Sequence, residues 1–309
     1  MAELHVVRGG LLTTVQDLGR WGGQGRGMPV AGPMDVYSHR LANRLVGNDE
    51  SAAALEITLT GPELQASGDL VCAVSGAEFE LLAGERRVTC GRVFMLRHNE
   101  RLRFGRRVAG ARAALAVRGG IGVAPVFGSR ATSLAAGIGP FGGRAIRAGD
   151  RLPIGSGGGG EPRAGSAASL PLPDGGARLR AIPGPQEEMF TTAARELFFT
   201  ARFTVTPQSN RMGYRLEGPA LAHAGSADML SDATPLGSVQ VPKSGQPILL
   251  MADRQTTGGY PKIATIISAD VPLAGQLAPG DWIRFVPCSR QEAMDALHNL
   301  ERRLGAGGT

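Results

Sequence analysis

The sequence has little lysine, tyrosine or tryptophan, and it has no long apolar run. Only Lys243 and Lys262 are lysines among its 33 basic residues, which are scattered among 27 acidic ones. Three tyrosines and two tryptophans leave few rings on which bases could stack, so nucleic-acid binding is not expected despite the net charge of +6. No apolar run reaches the roughly 18 to 20 residues that a membrane-spanning helix requires, so no membrane association is expected either.

Cysteine and histidine are also sparse. Cys72, Cys90 and Cys288 show no CxxC spacing, and Cys72 lies within the apolar run "LVCAVSG". This pattern predicts buried, unreactive thiols in a reducing compartment. The five histidines never fall at metal-ligand spacing, so no metal site is predicted. The first ten residues lack the basic and then apolar design of a signal peptide, which predicts a cytoplasmic protein.

Glycine is abundant, with 46 residues that separate many short apolar runs. Such runs between turn residues are typical of strands, and they favour closed barrels or sandwiches over a doubly wound sheet. The predicted fold is therefore mainly β with a few helices (α+β). The predicted strands cover 4–7, 70–76, 79–84, 93–96, 114–120, 247–253, 263–270 and 282–286.

Three helices interrupt this pattern. One begins at Asp35 and ends at Gly47, a second covers 184–199, and a third runs from Ser289, which forms a capping box with Glu292, to Gly305. Residues 156–177 are rich in Gly, Pro and Ser and show no periodicity, which predicts a flexible linker. The predicted domains are therefore 1–155 and 178–309.

The stretch "QTTGGYP" at 255–261 lies between two apolar runs. A hairpin turn would need only the glycine pair. The amide of Gln255, the hydroxyls of Thr256 and Thr257, and the phenol of Tyr260 would add nothing to such a turn. Loops that carry polar side chains between stiff strands are frequent binding sites, so we predict a ligand-binding role over a simple turn.

Four more stretches combine glycine with polar side chains, at 13–35, 128–132, 207–219 and 231–245. Arginine forks suit carboxylate or phosphate, although each stretch is also compatible with an ordinary surface loop or turn. The candidates in these stretches are Asp17, Asp35, Ser129, Arg130, Arg211, Arg215 and Gln240.

Ordered motifs along nearly the whole chain resemble one known family. They include "GLLTTVQDLGR", "GMPVAGPMD", "ALEITLTGPEL", "GGIGVAPVFGSRAT", "RMGYRLEGP" and "ILLMADRQTTGGYPKIATI". On these motifs the chain is identified as a member of the allophanate hydrolase subunit 2, or biotin-dependent carboxyltransferase-like, family. The sequence departs from the family pattern at Asn210, where an aspartate is expected, and at Ala233, where an acidic residue followed by glycine is more usual.

The resemblance implies a two-domain, carboxyltransferase-type fold with cyclophilin-like β-barrel character. It implies a hydrolase component that works with A-like and B-like 5-oxoprolinase subunits to cleave the 5-oxoproline lactam to L-glutamate with ATP hydrolysis, and that is inactive without them. ATP with magnesium would then bind at a site shared with a partner. Two alternatives are a carboxyltransferase that acts on urea or another small amide with a biotin carrier, and a non-catalytic regulatory subunit of a kinase-inhibitor system. The chain contains no biotinylation segment, which favours the first activity.

Resonance makes a lactam a poor electrophile, so its cleavage requires donors aimed at the carbonyl oxygen and cations for a transferred phosphate. We predict Gln255, Thr256 and Thr257 as catalytic donors, with Tyr260 as a lid or donor and Arg211 as a carboxylate or phosphate ligand. Asp17 or Asp35 could hold magnesium or orient a proton. The predicted substrate-binding residues are Gly258, Gly259, Arg215, Asp17, Asp35, Ser129, Arg130 and Gln240.

Overall fold

The computed structural model describes residues 2–163 and 169–306, which form two compact units. The first unit contains residues 2–20, 31–163, 169–172 and 303–306. The second contains residues 21–30 and 173–302, so one short N-terminal segment belongs to it. Each unit has its own sheet, core and polar cluster.

The first unit is built from ten strands and two helical segments. The strands are β1 (Glu3–Arg8), β2 (Leu12–Gln16), β3 (Ala54–Thr58), β4 (Glu63–Ala66), β5 (Leu70–Ala83), β6 (Arg86–Val88), β7 (Val93–Leu96), β8 (Arg101–Val117), β9 (Gly119–Ile121) and β10 (Arg151–Gly157). The helical segments are α1 (Val36–Leu45) and α2 (Pro140–Gly143).

These ten strands form one sheet with antiparallel neighbours. Its order is β2, β3, β8, β4, β1, β10 and β9, while β5 pairs with β8 and also carries β6 and β7. Strand β3, which lies between β2 and β8, is buried on both faces although its sequence "ALEIT" alternates, and its Leu55 and Ile57 are completely buried. They belong to an apolar core that also contains Leu64, Val74, Leu115 and Leu152.

Glycines within the apolar runs form bulges where strand ends were predicted. The predicted strands 70–76 and 79–84 are one strand, β5, whose pairing register with β8 shifts after Gly76. The residue has φ of 95°, a conformation that glycine adopts without a steric penalty. The opposite holds for the strand predicted over 114–120, which is divided into the end of β8 at Val117 and the start of β9 at Gly119. The break predicted between residues 76 and 79 was wrong, because the long pairing of β5 with β8 accommodates an extra residue as a bulge.

The second unit contains the remaining elements. Its strands are β11 (Gly176–Pro183), β12 (Phe203–Val205), β13 (Gly213–Glu217), β14 (Asp232–Ala233), β15 (Ser238–Gln240), β16 (Ile248–Leu250), β17 (Thr257–Gly258), β18 (Lys262–Ile266) and β19 (Trp282–Pro287). Its helices are α3 (Thr192–Thr200), α4 (Val271–Gly275) and α5 (Arg290–Ala306), with 3₁₀ turns at Gln24–Arg26, Glu187–Met189 and Ser268–Asp270. The last residues of α5 belong to the first unit.

Seven strands of the second unit close into a barrel in the order β11, β18, β15, β16, β13, β12 and β19. The parallel pairing of β11 with β19 closes it. Phe198 of α3 packs beside the barrel, and its ring stacks on that of Phe285 with a centroid separation of 4.3 Å. The mainly β fold with few helices and a closed barrel is therefore confirmed.

Two of the three predicted helices form as expected. Asp35 caps α1 by accepting a hydrogen bond from the Ser38 N–H at 2.9 Å, and Gly47 follows the helix with φ of 77°. Ser289 caps α5, and its N–H donates to the Glu292 carboxylate at 2.8 Å.

The prediction of a single helix over 184–199 is wrong. A 3₁₀ turn ends at Met189, Phe190 is extended, and α3 begins at Thr192. The Thr191 hydroxyl caps α3 by accepting from the Ala194 N–H at 3.1 Å, so the helix restarts there. Burial of Phe190 against the His223 ring, at 4.8 Å between centroids, also holds the extended conformation.

The predicted linker 156–177 includes residues 164–168, which lie outside the described residues. Before them, Gly160 and Arg163 donate backbone hydrogen bonds to the carbonyls of Gly47 and Leu45 at 3.1 and 2.8 Å. The flexibility of the linker stays a prediction.

Cys72 is fully buried, which raises the pKa of its thiol to about 12. Among the described residues, no helix combines the length and apolar character needed to span a membrane.

Candidate functional site

The segment that follows β16 does not turn directly into β18. Its residues Thr257 and Gly258 form β17, which pairs in antiparallel register with the two residues of β14. The hydroxyl of Thr234 donates to the carbonyl of Gln255, and the Thr234 N–H donates to the Thr256 carbonyl at 3.1 Å. Residues 254–261, called the ribbon below, are therefore held beside the barrel by β14. A simple hairpin would not require these contacts.

One cavity lies beside this ribbon on the outer face of the barrel. Arg215 of β13 and Gln240 of β15 both pair in register with Ile248 of β16, so the three side chains form a row across neighbouring strands. Along β13, Tyr214 is buried and Arg215 is exposed, as strand alternation requires. The cavity has a volume of about 180 Å³, and its lining is Asn210, Met212, Gly213, Arg215, Gln240, Ile248, Leu250, Gln255 and Tyr260.

The polar groups of this cavity retain hydrogen-bonding capacity. Gln240 uses one donor on the Tyr260 carbonyl at 3.3 Å. Within the part of the chain that the structure describes, no carboxylate lies within 4.0 Å of the Arg215 guanidinium. Tyr260 is 43% exposed at the rim. One cation, three amides and one phenol thus surround a space suited to a small polar molecule with a negative charge.

Gly258 lets the side-chain amides of Gln240 and Gln255 approach the ribbon backbone. A Cβ atom at this position would lie 2.7 Å from the Gln240 Nε2 and 3.1 Å from the Gln255 Nε2. The first distance is shorter than side chains adopt, so any larger residue would displace an amide. Gly259 is less constrained, because its nearest neighbour would be the Met229 carbonyl at 3.4 Å.

The predicted residues of the ribbon do not all face this cavity. Thr256 lines a second cavity, also of about 180 Å³, together with Gln24, Val30, Ala233, Thr234, Pro235, Arg254 and Gln255. Gln255 therefore contributes to both cavities. Thr257 is exposed and Gly259 lines neither cavity, and their proposed roles stay predictions.

Arg211 differs from Arg215 although both were predicted as ligands of an anion. Its guanidinium donates to both carboxylate oxygens of Asp253, at 3.1 and 3.0 Å. The side chains of Arg211 and Asp253 are only 4% and 1% exposed. This pair fixes the start of the ribbon, since Asp253 directly precedes Arg254. A direct role of Arg211 in catalysis stays a prediction.

Four of the predicted site residues lie in the first unit. The carboxylate of Asp17 accepts hydrogen bonds from the Gly19 N–H at 3.0 Å, the Ser129 hydroxyl at 2.6 Å and the Arg130 N–H. Asp35 accepts from the N–H and the hydroxyl of Ser38 as the cap of α1. These groups bond within their own unit, and their predicted part in substrate or magnesium binding is untested.

The buried His39 belongs to the same polar region. Burial removes water from the imidazole and lowers its pKa to about 4, although the nearby Asp17 carboxylate opposes this shift. The ring is therefore neutral near pH 7. Within residues 2–163 and 169–306, no group of three or more His, Cys, Asp or Glu side chains could hold a metal ion.

Sequence reasoning did not select Lys262. Its side chain is 1% exposed, and its ammonium donates to the Asp232 carboxylate at 2.6 Å and to the Ala233 carbonyl at 3.0 Å. The hydrogen bond from Lys262 lowers the pKa of Asp232. The signal was available, because an isolated lysine directly after "GGYP" is unusual in a chain whose cations are otherwise almost all arginine. Arg254 and Asn210 were also not selected.

Comparison with known proteins assigns the chain to a family. Residues 26–287 match the family described as "Carboxyltransferase domain, subdomain A and B". The chain therefore belongs to this carboxyltransferase family, which confirms the resemblance seen in its motifs.

Individual relatives cover nearly the whole chain. It is 42% identical to the C subunit of the 5-oxoprolinase of Escherichia coli, over 97% of this chain and 96% of the relative. It is 38% identical to the C subunit of the 5-oxoprolinase of Haemophilus influenzae, over 91% and 89% of the two chains. Its structure resembles the crystal structure of Kluyveromyces lactis urea amidolyase with a TM-score of 0.93 and 31% identity, over 98% of this chain but 20% of that enzyme.

Proposed function

We propose that the chain acts as the C subunit of an ATP-dependent 5-oxoprolinase and binds the lactam substrate in the cavity next to the ribbon. The observation that carries this proposal is the grouping of Arg215, Gln240, Gln255 and Tyr260 around one cavity of about 180 Å³. That volume corresponds to roughly six water molecules at about 30 Å³ each, which suits a compact five-membered ring. The two relatives that are C subunits of 5-oxoprolinases support the same activity.

Each polar group has a part in this proposal. Arg215 binds the carboxylate of 5-oxoproline with its planar fork. The amides of Gln240 and Gln255 orient the lactam, and an amide N–H aimed at the lactam oxygen stabilises negative charge as it develops there. Tyr260 covers the cavity from its exposed rim. Gly258 keeps the two amides within reach of the same ligand.

When bound, ATP would supply the energy that makes the lactam carbonyl reactive. Neither of the two cavities of about 180 Å³ has room for a nucleotide, and the larger cavities of about 440 and 820 Å³ are lined by residues of the first unit, not by the proposed lactam site. The near P-loop sequence "GSVQVPKS" is not a phosphate-binding loop either, because its Ser238–Gln240 form strand β15. We therefore propose that A-like and B-like partners provide most of the nucleotide site, and that this chain shows no turnover without them.

The test is reconstitution of the chain with candidate A-like and B-like subunits, followed by measurement of glutamate and ADP formed from 5-oxoproline. Arg215→Gln is expected to raise the KM for 5-oxoproline about tenfold to a hundredfold, since hydrogen bonds to charged groups contribute about 1.5–3 kcal/mol. The kcat should change little. Arg178→Gln, at an exposed position of β11 outside the cavity, is the matched control. Turnover that persists when this chain is omitted would remove the proposal.

A carboxyltransferase activity on urea is the second candidate, because the urea amidolyase structure has the same fold. Urea shares the planar N–C=O group of the lactam, so the two glutamine amides could bind either molecule. Urea has no carboxylate for Arg215, which favours the lactam. Arg215→Gln should therefore weaken use of 5-oxoproline but not of urea with a biotinylated carrier, and turnover of urea by both the unsubstituted chain and this variant would favour the second candidate.

A further inference from the structure

Arg254 is placed between the barrel and the ribbon by two backbone carbonyls. Its Nε donates to the Thr234 carbonyl at 2.7 Å, and its Nη1 lies 3.5 Å from the Met251 carbonyl. The side chain is partly buried. These contacts fix the guanidinium in position while they leave most of its N–H donors available.

Three other arginines, Arg211, Arg180 and Arg144, are each neutralised by an aspartate. Arg211 forks to Asp253, with both side chains buried, and Arg180 donates to both oxygens of Asp270. Arg144 does the same with Asp150. In the described part of the chain, no carboxylate lies within 4.0 Å of Arg254, and burial lowers the pKa of its guanidinium. The adjacent carboxylate, that of Asp253, is already engaged by Arg211.

The unneutralised guanidinium lines the second cavity. Around it stand the hydroxyl-bearing Thr234 and Thr256 and the amides of Gln24 and Gln255, with Val30 at another wall. The lining contains one cation and no acidic side chain. A partly buried charge without a counter-charge is unfavourable, and a bound anion would relieve that cost.

We propose that this second cavity binds a phosphate-sized oxyanion through Arg254. The guanidinium fork matches the oxygens of a tetrahedral oxyanion, and the amides of Gln24 and Gln255 and the Thr256 hydroxyl donate to oxygens that the fork leaves free. Gln255 separates this oxyanion site from the lactam cavity. The assignment of its occupant as the phosphate product of ATP hydrolysis rests on the proposed function, whereas the binding of an oxyanion does not.

The experiment titrates inorganic phosphate into the full-length chain and measures binding by calorimetry. Phosphate is expected to bind, and Arg254→Gln is expected to weaken that binding by about tenfold or more, since bonds to charged groups are about twice as strong as neutral ones. Arg178→Gln, at an exposed position of β11 that lines neither cavity, is the matched control and should leave phosphate binding within about twofold. Acetate provides a second arm, and acetate binding that equals phosphate binding would overturn the assignment to phosphate.

A second variant protects the test against misfolding of Arg254→Gln. Val30→Phe fills the cavity from another wall and leaves Arg254 in place, so it should also weaken phosphate binding. If the unsubstituted chain binds no phosphate, or if both variants bind it as the unsubstituted chain does, the oxyanion site is wrong. Loss of phosphate binding in both variants, without any lactam cleavage by the reconstituted subunits, would retain the oxyanion site and remove only the proposed function.

Discussion

The polar clusters of the two units use their hydrogen bonds in opposite ways. In the first unit, Asp17 accepts three hydrogen bonds from its own neighbourhood, and Asp35 caps a helix. In the second unit, Arg215 and Arg254 line cavities and have no carboxylate within 4.0 Å among the described residues. Residue type alone does not predict this difference, because Arg211 of the second unit is paired with Asp253 whereas Arg215 is not. Unused hydrogen-bonding capacity beside a cavity is therefore the criterion on which we base the proposed ligand sites.

The largest expected effect concerns Arg211, whose charge is neutralised by the buried carboxylate of Asp253. In this respect it differs from Arg215 and Arg254 of the same unit. Asp253→Ala leaves the Arg211 guanidinium buried without its carboxylate, so we expect the free energy of unfolding to fall by about 3–5 kcal/mol. Denaturant unfolding measures this loss, with Asp295→Ala on exposed α5 as the control. A loss no greater than that of the control would refute the structural role of this ion pair.

The second prediction tests whether the polar region of the first unit serves stability. The folded-state pKa of His39, about 4, lies below its ordinary value of 6.5, so below pH 6.5 the unfolded chain binds a proton that the folded chain excludes. Stability should therefore fall as pH drops from 6.5 towards 4, by about 3 kcal/mol in total. Unfolding measured across this range should lose most of its pH dependence in His39→Gln. His98→Gln, at an exposed histidine, should retain it, and equal slopes in both variants would refute the assignment.

The smallest expected effect should appear in activity and leave stability unchanged. Gly258→Ala would place a Cβ atom against the amides of Gln240 and Gln255, so the KM for 5-oxoproline in the reconstituted complex should rise by about tenfold to a hundredfold. Gly259→Ala is the matched control, because its Cβ meets only ordinary contacts. Equal kinetics for the two variants would show that the glutamine amides are not aimed at the substrate.

Local signals predicted part of the fold well. Asp35 and Ser289 cap helices because their side chains bond within the next turn, which a short window of sequence reveals. The Thr191 cap of α3 is a local signal of the same kind that was missed, whereas the extended conformation of Phe190 depends on contact with His223, which is distant in sequence. Glycines such as Gly76 were assigned to strand ends because a bulge is visible only when the partner strand is known.

The candidate site shows the same limit. Arg215, Gln240, Gln255 and Tyr260 were selected from separate polar stretches, and the barrel register brings them to one cavity. Arg211 looked equivalent to Arg215 from sequence, but its partner Asp253 is 42 residues away. The distinction depends on a pairing across strands that composition and spacing do not contain.

The membership of residues 21–30 in the second unit has a consequence for engineering. Gln24 and Val30 line the oxyanion cavity, although they precede almost the whole first unit in the chain. The two units are therefore not exchangeable cassettes. A fragment cut at residues 156–177 and expressed alone would lack one wall of this cavity, and a circular permutant or a chimera would have to supply that peptide from a separate donor segment.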